Sequence, residues 1–277
     1  MKRDAGWWAL IAPAFLLLTI CYIAPIVQIL AISFLEPSPG LSNYERLLTS
    51  ESVQRVIVTT LRICTITTVI ALLLGYALSY VIAMATDRAR RWWLLAVLVP
   101  LWISVLVRAF AWVTLLRRQG VINQGLMGAG VIDEPLALVW NETGIIIGMV
   151  HYMVPYAVLP MLAAMREVDP RLLTAARGMG ASRGLVFARV FLPLSMPGVI
   201  AGGVLVFIFS LGFYITPAIL GGGRTLMVAE WIKLQILDLI RWGLGAMMAT
   251  VLVVAILATL AIFSRVVNLR RLFGGGA

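Results

Sequence analysis

Long apolar runs alternate with short charged segments along most of the chain. Six of these runs exceed the about 20 residues that an α-helix needs to cross a hydrocarbon core of about 30 Å. Charged residues fall mainly in the intervals between the runs, so the pattern predicts an all-α, polytopic membrane protein. The predicted spans are residues 7–34, 56–85, 92–116, 143–165, 193–220 and 243–267.

Composition supports this class. The 277 residues are 62% hydrophobic and only 12% charged, whereas about half of an ordinary soluble domain is apolar. The formal net charge of +10 would fit a nucleic-acid partner, but the chain has only two lysines, Lys2 and Lys233. Most arginines stand at the ends of apolar runs, which indicates membrane topology and argues against nucleic acid.

The first apolar run is expected to be a retained membrane helix with Trp7 and Trp8 as interfacial anchors. A cleaved signal peptide is the alternative, but its apolar core is normally about 7–15 residues long. Cys21 and Cys64 lie inside apolar runs without metal-ligand spacing, so both are predicted to be small buried hydrophobic residues. The glycine-rich tail 273–277 is expected to be disordered.

Basic residues divide unequally between the two sides of the predicted membrane. If the N-terminus, 86–91, 166–192 and the C-terminal tail share one side, that side carries 13 of the 22 lysines and arginines, and the other carries 8. Arg108 lies inside the third run. The positive-inside rule therefore predicts a multi-pass protein of the bacterial inner membrane with both termini and segment 166–192 in the cytoplasm.

The capping and helix-breaking residues of segment 166–192 predict a helix, a glycine turn and a second helix. Asp169 is a candidate N-cap before a proline at the first helical position, and the glycines of 178–180 end the first helix. Ser182 can cap a second helix that we expect to end near Arg189. The simpler alternative is a basic loop that only obeys the positive-inside rule.

A second charged segment, 225–242, follows a run of three glycines. It is predicted to be an amphipathic helix that lies in the outer membrane interface as a rim or gate helix, or else serves only as a packing element. We expect i,i+3 pairs between Glu230 and Lys233 and between Asp238 and Arg241.

Residues for catalysis, cofactors or metals are not apparent in the sequence. The phosphate loop GxxxxGK[ST] is missing, and the single histidine, His151, lies in an apolar run. A lone histidine in a membrane helix either relays protons or, more often, bonds to a neighbouring helix. Paired carboxylates are also missing from the spans, which argues against a proton-coupled or sodium-coupled secondary transporter. We therefore expect no enzyme activity in this chain and an energy source in another.

Segment 166–192 resembles the cytoplasmic coupling loop of ABC importer permeases, the EAA loop. The resemblance rests on residues that stand in the family's order and spacing: Ala175, Ala176, Gly180, Ala181, Phe187, Leu192, Pro193, Pro197 and Gly198. Thr174 occupies the usual position of a glutamate. The resemblance implies that an ATPase docks on a set formed by Thr174, Ala175, Ala176, Gly178, Gly180, Ala181 and Phe187.

Two further stretches are similar to permeases of the spermidine/putrescine type. The first carries Val107, Arg108, Phe110, Ala111 and Trp112, then Gly120, Ile122 and Asn123. The second runs from Phe213 to Ala218 and continues through Leu220–Gly222 to Leu226 and Met227. Together with the coupling loop, the similarity covers about residues 10–265.

This similarity implies a permease subunit of a binding-protein-dependent ABC importer. Its expected partners are two cytoplasmic ATPase subunits, an extracytoplasmic solute-binding protein, membrane lipid and a second permease subunit, as a heterodimer in preference to a homodimer. The implied solute is a polyamine or a related opine, amino-acid-like or phosphonate compound. A stand-alone carrier or channel and a non-transporting scaffold are the alternatives.

A translocation path can be drawn through the polar and aromatic residues of the spans. Arg108 is either an anion-attracting path residue or, near the outer third of the span, an arginine that snorkels or pairs between helices. The small-residue pair Gly198 and Gly202 predicts close packing of the fifth span. We expect this span to be the moving helix of the path. The candidate path residues are Arg108, Trp112, Tyr152, Tyr156, Phe213, Tyr214 and Glu230.

Overall fold

The computed structural model describes the backbone of residues 4–266 and the side chains of residues 11–265. Lys2, Arg3 and the tail 273–277 lie outside the described residues. Within that range the chain forms helices and no strands, which confirms the predicted all-α class. The helices are α1 (Asp4–Leu18), α2 (Ala24–Leu35), α3 (Ser42–Thr49), α4 (Glu51–Met84), α5 (Asp87–Trp102), α6 (Val105–Leu116), α7 (Val121–Gly128), α8 (Glu142–Glu167), α9 (Pro170–Gly178), α10 (Arg183–Val186), α11 (Leu192–Leu211), α12 (Ile215–Leu220), α13 (Val228–Lys233) and α14 (Trp242–Val266).

Five helical segments of the described chain are long and apolar enough to cross a membrane, and a bent pair of helices makes a sixth. Segments Thr19–Ile23 and Phe187–Phe191 are π-helical turns that continue their neighbouring helices without a break. The predicted number of spans is thus obtained only if the bent pair counts as one.

The third predicted span, 92–116, is not one continuous helix. α5 ends at Trp102, α6 begins at Val105, and α5 and the α6–α7 segment meet at an angle of 99°. The break is at Ile103 and Ser104, whose ψ angles of 133° and 135° are extended. Pro100 stands in the last turn before the break and, lacking an N–H group, removes one backbone hydrogen bond from the end of α5.

The fifth predicted span differs at both ends. Its helix begins at Arg183, inside the predicted coupling segment, and continues to Leu211, so the expected helix end near Arg189 is wrong. The π-helical turn 187–191 bridges the two parts directly before Pro193, whose missing N–H group leaves one backbone bond unmade at this junction. Residues 212–214 are not helical, and α12 follows as a separate helix.

The predicted interfacial helix over 225–242 is shorter and less regular. It begins at Val228 and passes into a π-helical turn, Leu234–Asp238. Ile240, two residues after the end of this turn, has a positive φ of 54°, so the helix does not continue to residue 242. Because the register changes, Asp238 accepts from Lys233 Nζ at 2.6 Å instead of pairing with Arg241.

The chain divides into two compact units, Met1–Arg55 with Val228–Ala255 and Val56–Met227 with Ile256–Ala277. The single permease domain remains a prediction. In the first unit, the buried amide of Asn43 donates to the carbonyl oxygens of Ser33 at 3.0 Å and Glu36 at 2.6 Å, which ties α3 to the end of α2.

The second unit is built around α8 and α11. Side chains of α8 that are fully buried, such as Met153 and Ala157, form its core. A Cβ at Gly198 of α11 would lie 2.6 Å from Ala164 Cβ and 2.7 Å from the carbonyl oxygen of Pro160. The close packing predicted for the fifth span is therefore confirmed, since only glycine fits at this crossing.

The two cysteines differ in their surroundings. Cys64 is buried in α4, as predicted, whereas Cys21 is exposed and the prediction for it is wrong. The reason lies in the first span, where residues 11–32 are almost all exposed. An apolar run thus predicts a membrane helix without predicting which of its faces the chain itself covers.

Candidate functional site

The coupling segment is a helix–turn–helix with local caps. The Asp169 carboxylate accepts from the backbone N–H of Arg171 at 2.8 Å, and Ser182 Oγ accepts from the backbone N–H of Leu185 at 3.4 Å. Both predicted N-caps are confirmed. Gly180 has a φ of +87°, a conformation that favours glycine, and it turns the chain between α9 and α10.

The predicted coupling residues face two directions. Thr174, Ala175, Gly178 and Gly180 are exposed, whereas Ala176 is buried and Ala181 is half-buried. Ala176 therefore packs α9 within the chain itself. The exposed members define the surface of the segment that is open to a partner.

Two apolar side chains, one in α9 and one at its C-cap, are exposed, and the sequence did not identify them as part of the docking surface. Met179, the C-cap of α9, is 83% exposed, and Leu172 is 49% exposed. Adaptable apolar side chains on an exposed tip are typical of protein-binding surfaces. Their signal in the sequence is weak, because a methionine between two glycines gives no indication of its exposure.

Phe187, the remaining coupling residue, is half-buried and connects the segment to α4. Its ring meets Tyr80 edge-on at 5.5 Å and Tyr76 edge-on at 6.2 Å, measured between ring centroids. Tyr76 also shares a 3.0 Å hydrogen bond with Ser195 of α11. The base of the coupling segment is thus tied to two membrane helices.

A second cluster surrounds Arg108 of α6. Its side chain is buried, and its guanidinium carbon lies 4.3 Å from the ring centroid of Tyr152, a cation–π contact. Tyr152 in turn lies 4.6 Å from Phe213 and 5.7 Å from Tyr156 by ring centroids. Four of the seven candidate path residues therefore share one cluster.

The other candidate path residues lie elsewhere. Trp112 Nε1 donates to His151 Nδ1 at 3.1 Å, so the histidine bonds to a neighbouring helix as the second alternative predicted. Both residues line an apolar cleft of about 500 Å³. Tyr214 is 38% exposed in the break before α12. Glu230 belongs to the other compact unit.

Glu230 lies partly buried in α13, outside the spans. Its Oε2 atom has no hydrogen-bond partner among the described residues. Burial raises the pKa of this carboxyl above its ordinary value of 4.5, and the charge of Lys233 opposes the rise. The folded state therefore binds this proton more tightly than the unfolded state does.

Replacement of Glu230 by glutamine should remove a pH-dependent loss of stability. Above pH 4.5 the unfolded carboxyl ionises first, so the wild-type free energy of unfolding falls as the pH rises towards the raised pKa and stays lower beyond it. We expect E230Q and wild type to unfold alike at acidic pH, and E230Q to be the more stable at neutral pH. Unfolding of the purified protein in detergent across this range tests this, and a difference independent of pH would contradict it.

Taken together, the described residues form a polytopic, all-helical protein of the membrane class, with a capped helix–turn–helix at 166–192 and an internal cluster around Arg108. A family model described as binding-protein-dependent transport system inner membrane component matches residues 75–274. The chain belongs to this family and is a multi-pass permease subunit of an ABC importer in the inner membrane.

Curated relatives match most of the chain. The spermidine/putrescine transport system permease protein PotB of Escherichia coli strain K12 is 32% identical over 233 residues, 84% of each chain. PotB of Haemophilus influenzae is 31% identical over 249 residues, 87% of each. Among solved structures, a bacterial alginate ABC transporter in complex with an alginate pentasaccharide-bound periplasmic protein matches with a TM-score of 0.79 at 20% identity, over 95% of this chain and 94% of that one.

Proposed function

We propose that this chain forms half of a solute path and couples it to ATP hydrolysis by two separate cytoplasmic ATPase subunits. The observation that carries the proposal is the uninterrupted helical segment Arg183–Leu211, which joins the coupling segment to a membrane span. A push on the tip would be transmitted along this helix, because a packed helix moves as a rigid element. The chain itself would hydrolyse nothing.

The exposed face of α9 is the proposed ATPase contact. Ala175 and Met179 are exposed there, and Phe187 fixes the base of the segment against α4. Small side chains would let the helix enter a cleft of the ATPase, and Met179 would supply an apolar anchor. This arrangement requires segment 166–192, and with it both termini, to lie in the cytoplasm, in agreement with the distribution of basic residues.

The proposed assembly also contains a second permease subunit and an extracytoplasmic solute-binding protein. A heterodimer is favoured, with each permease supplying one half of the path. The solute is proposed to be a small polar compound: a polyamine, as named for the PotB relatives, or a related opine, amino-acid-like or phosphonate compound.

Reconstitution tests this function. The permease pair, the ATPase and the binding protein would be placed in proteoliposomes, and ATP hydrolysis and uptake of labelled solute would be measured together. We expect the solute-loaded binding protein to stimulate hydrolysis and uptake to require ATP. Solute exchange by this chain alone, without ATP, would contradict the proposal and support a stand-alone carrier.

A further inference from the structure

The 239–241 turn, directly before α14, holds an isoleucine in a conformation that β-branched residues rarely adopt. Ile240 has a φ of 54° and is 73% exposed. Backbone hydrogen bonds fix the turn on both sides: the N–H of Arg241 donates to Gln235 O at 2.7 Å, and the N–H of Gly245 donates to Arg241 O at 3.1 Å. Strained residues that their surroundings hold in place cluster at functional sites. The turn therefore presents an exposed apolar side chain from a rigid backbone.

A polar pocket of about 390 Å³ opens beside this turn, within the same compact unit. Part of its wall is rigid, because the buried Asn43 amide donates to Glu36 O, and a Cβ at Gly243 would collide with that same carbonyl oxygen. Only glycine allows the two backbones to approach so closely. Ile240 and Trp242 also line the pocket, so the turn and the pocket form one surface.

Two arginines line the pocket without a salt bridge. Arg46 of α3 and Arg241 are both exposed, and no carboxylate among the side chains of residues 11–265 forms an ion pair with either. Glu36 lines the same pocket, which leaves one net positive charge there. Because guanidinium groups present donors that match a carboxylate, the pocket is complementary to an acidic side chain of a partner.

Exposed apolar side chains surround the pocket. They belong to the 239–241 turn and to its neighbours along the chain and in space: Leu41, Leu237, Leu239, Ile240 and Trp242. Apolar and aromatic residues together with arginine are typical of the central part of protein–protein interfaces. The surface lies between the end of the first span and the start of the last, so the proposed topology places it outside the membrane, opposite the ATPases.

We propose that the 239–241 turn and the arginine pocket beside it form the docking point for an acidic patch of the solute-binding protein. The inference rests on the proposed function, which requires such a partner on the outer side. A carboxylate of the binding protein enters the pocket at Arg46 and Arg241, and Ile240 packs against the apolar surface next to that carboxylate. Charge complementarity of this kind speeds association and fixes which surfaces meet.

Charge reversal tests the pocket in the reconstituted importer. Affinity is read as the concentration of solute-loaded binding protein that gives half-maximal stimulation of ATP hydrolysis. We expect Arg241→Glu to lower this affinity roughly tenfold or more, because it sets a carboxylate opposite the proposed one, and Arg46→Glu to act in the same direction. Hydrolysis without binding protein should stay at the wild-type level. Wild-type affinity in Arg241→Glu would overturn the inference.

Ile240→Gly separates docking from a structural role. Glycine adopts a positive φ without strain and the isoleucine side chain is mostly exposed, so the variant should unfold close to the wild-type temperature. Docking nevertheless loses an apolar anchor, and we expect binding to weaken roughly 5- to 30-fold, as at other interface hot spots. Wild-type affinity in this variant would also overturn the inference.

Arg118→Glu is the matched charge reversal. Arg118 is exposed after α6 in the other compact unit, and the proposed topology places it on the same outer side. We expect a much smaller loss of affinity. Equal losses in Arg118→Glu and Arg241→Glu would show a general effect of outer charge and would overturn the pocket as the docking point.

Two further outcomes separate the inference from the function on which it rests. If the second permease subunit no longer co-purifies with Arg241→Glu, the pocket belongs to the interface between the permeases and the inference is wrong. Absence of both binding-protein-stimulated hydrolysis and ATP-dependent uptake in wild type would instead overturn the proposed function.

Discussion

Met179→Glu is expected to release the ATPase from the permease complex. Met179 is 83% exposed at the tip of the coupling segment, where the proposed ATPase cleft would bury it. A carboxylate there would be desolvated without a partner. Loss of an anchor worth about 2 kcal/mol corresponds to a fall of roughly 30-fold in affinity. Co-purification of the ATPase from mild detergent measures the effect.

Leu48→Glu is the matched control for this substitution. Leu48 is also an apolar residue with 83% exposure, and it lies in α3 of the other compact unit, so the same charge is added without a change to the coupling segment. We expect ATPase recovery to remain at the wild-type level. Equal losses in both variants would point to a general effect on assembly, and full recovery with Met179→Glu would exclude the tip as the docking surface.

Ala176→Glu, a natural choice from sequence alone, would test docking less clearly. Ala176 is only 6% exposed, so a glutamate there would disturb the packing of α9 on its own chain. Loss of the ATPase could then follow from distortion of the segment. Ala175→Glu, at the exposed neighbouring position, adds the same group to the proposed contact face.

Gly198→Ala is expected to destabilise the α8–α11 pair although it adds a single methyl group. The new Cβ would lie 2.6 Å from Ala164 Cβ, 2.7 Å from the Pro160 carbonyl oxygen and 2.9 Å from Met161 Cα. Two of these neighbours are backbone atoms of a packed helix, so the helices must separate. Overpacking of this kind costs about 1–3 kcal/mol, which thermal unfolding in detergent would reveal.

Glycines on the same span provide graded controls. Gly212→Ala should be neutral, because no atom lies within 4 Å of its Cβ position and its φ of −93° suits any residue. At Gly202 the nearest atom, Ala157 O, is 3.2 Å away, so alanine should cost less there than at Gly198. Equal stability of Gly198→Ala and Gly212→Ala would contradict the close crossing of α8 and α11 described here.

Gly202→Leu should impair transport while the protein remains inserted. Transport by Gly202→Leu also tests whether the fifth span moves. α11 continues into the coupling segment, so a helix held away from α8 would respond poorly to the ATPase. We expect reduced uptake with the ATPase still bound. Normal uptake by a correctly assembled complex would remove α11 from the moving parts of the path.

The sequence alone determined the class of the protein and much of its local structure. Apolar runs predict membrane helices because the cost of placing backbone and charge in lipid is set locally by length and composition. The caps at Asp169 and Ser182 were equally predictable, since each bonds within three residues of itself. The resemblance of segment 166–192 to a coupling loop depends on spacing within that same stretch.

Only the tertiary structure decided which residues meet and which faces are covered. Arg108 contacts Tyr152, a residue 44 positions later in the chain, and no local pattern specifies that pair. Hydropathy likewise could not separate exposed Cys21 from buried Cys64, or exposed Ala175 from buried Ala176. The physical reason is that local sequence fixes the helices, whereas packing between distant segments fixes their contacts and the exposure of each side chain.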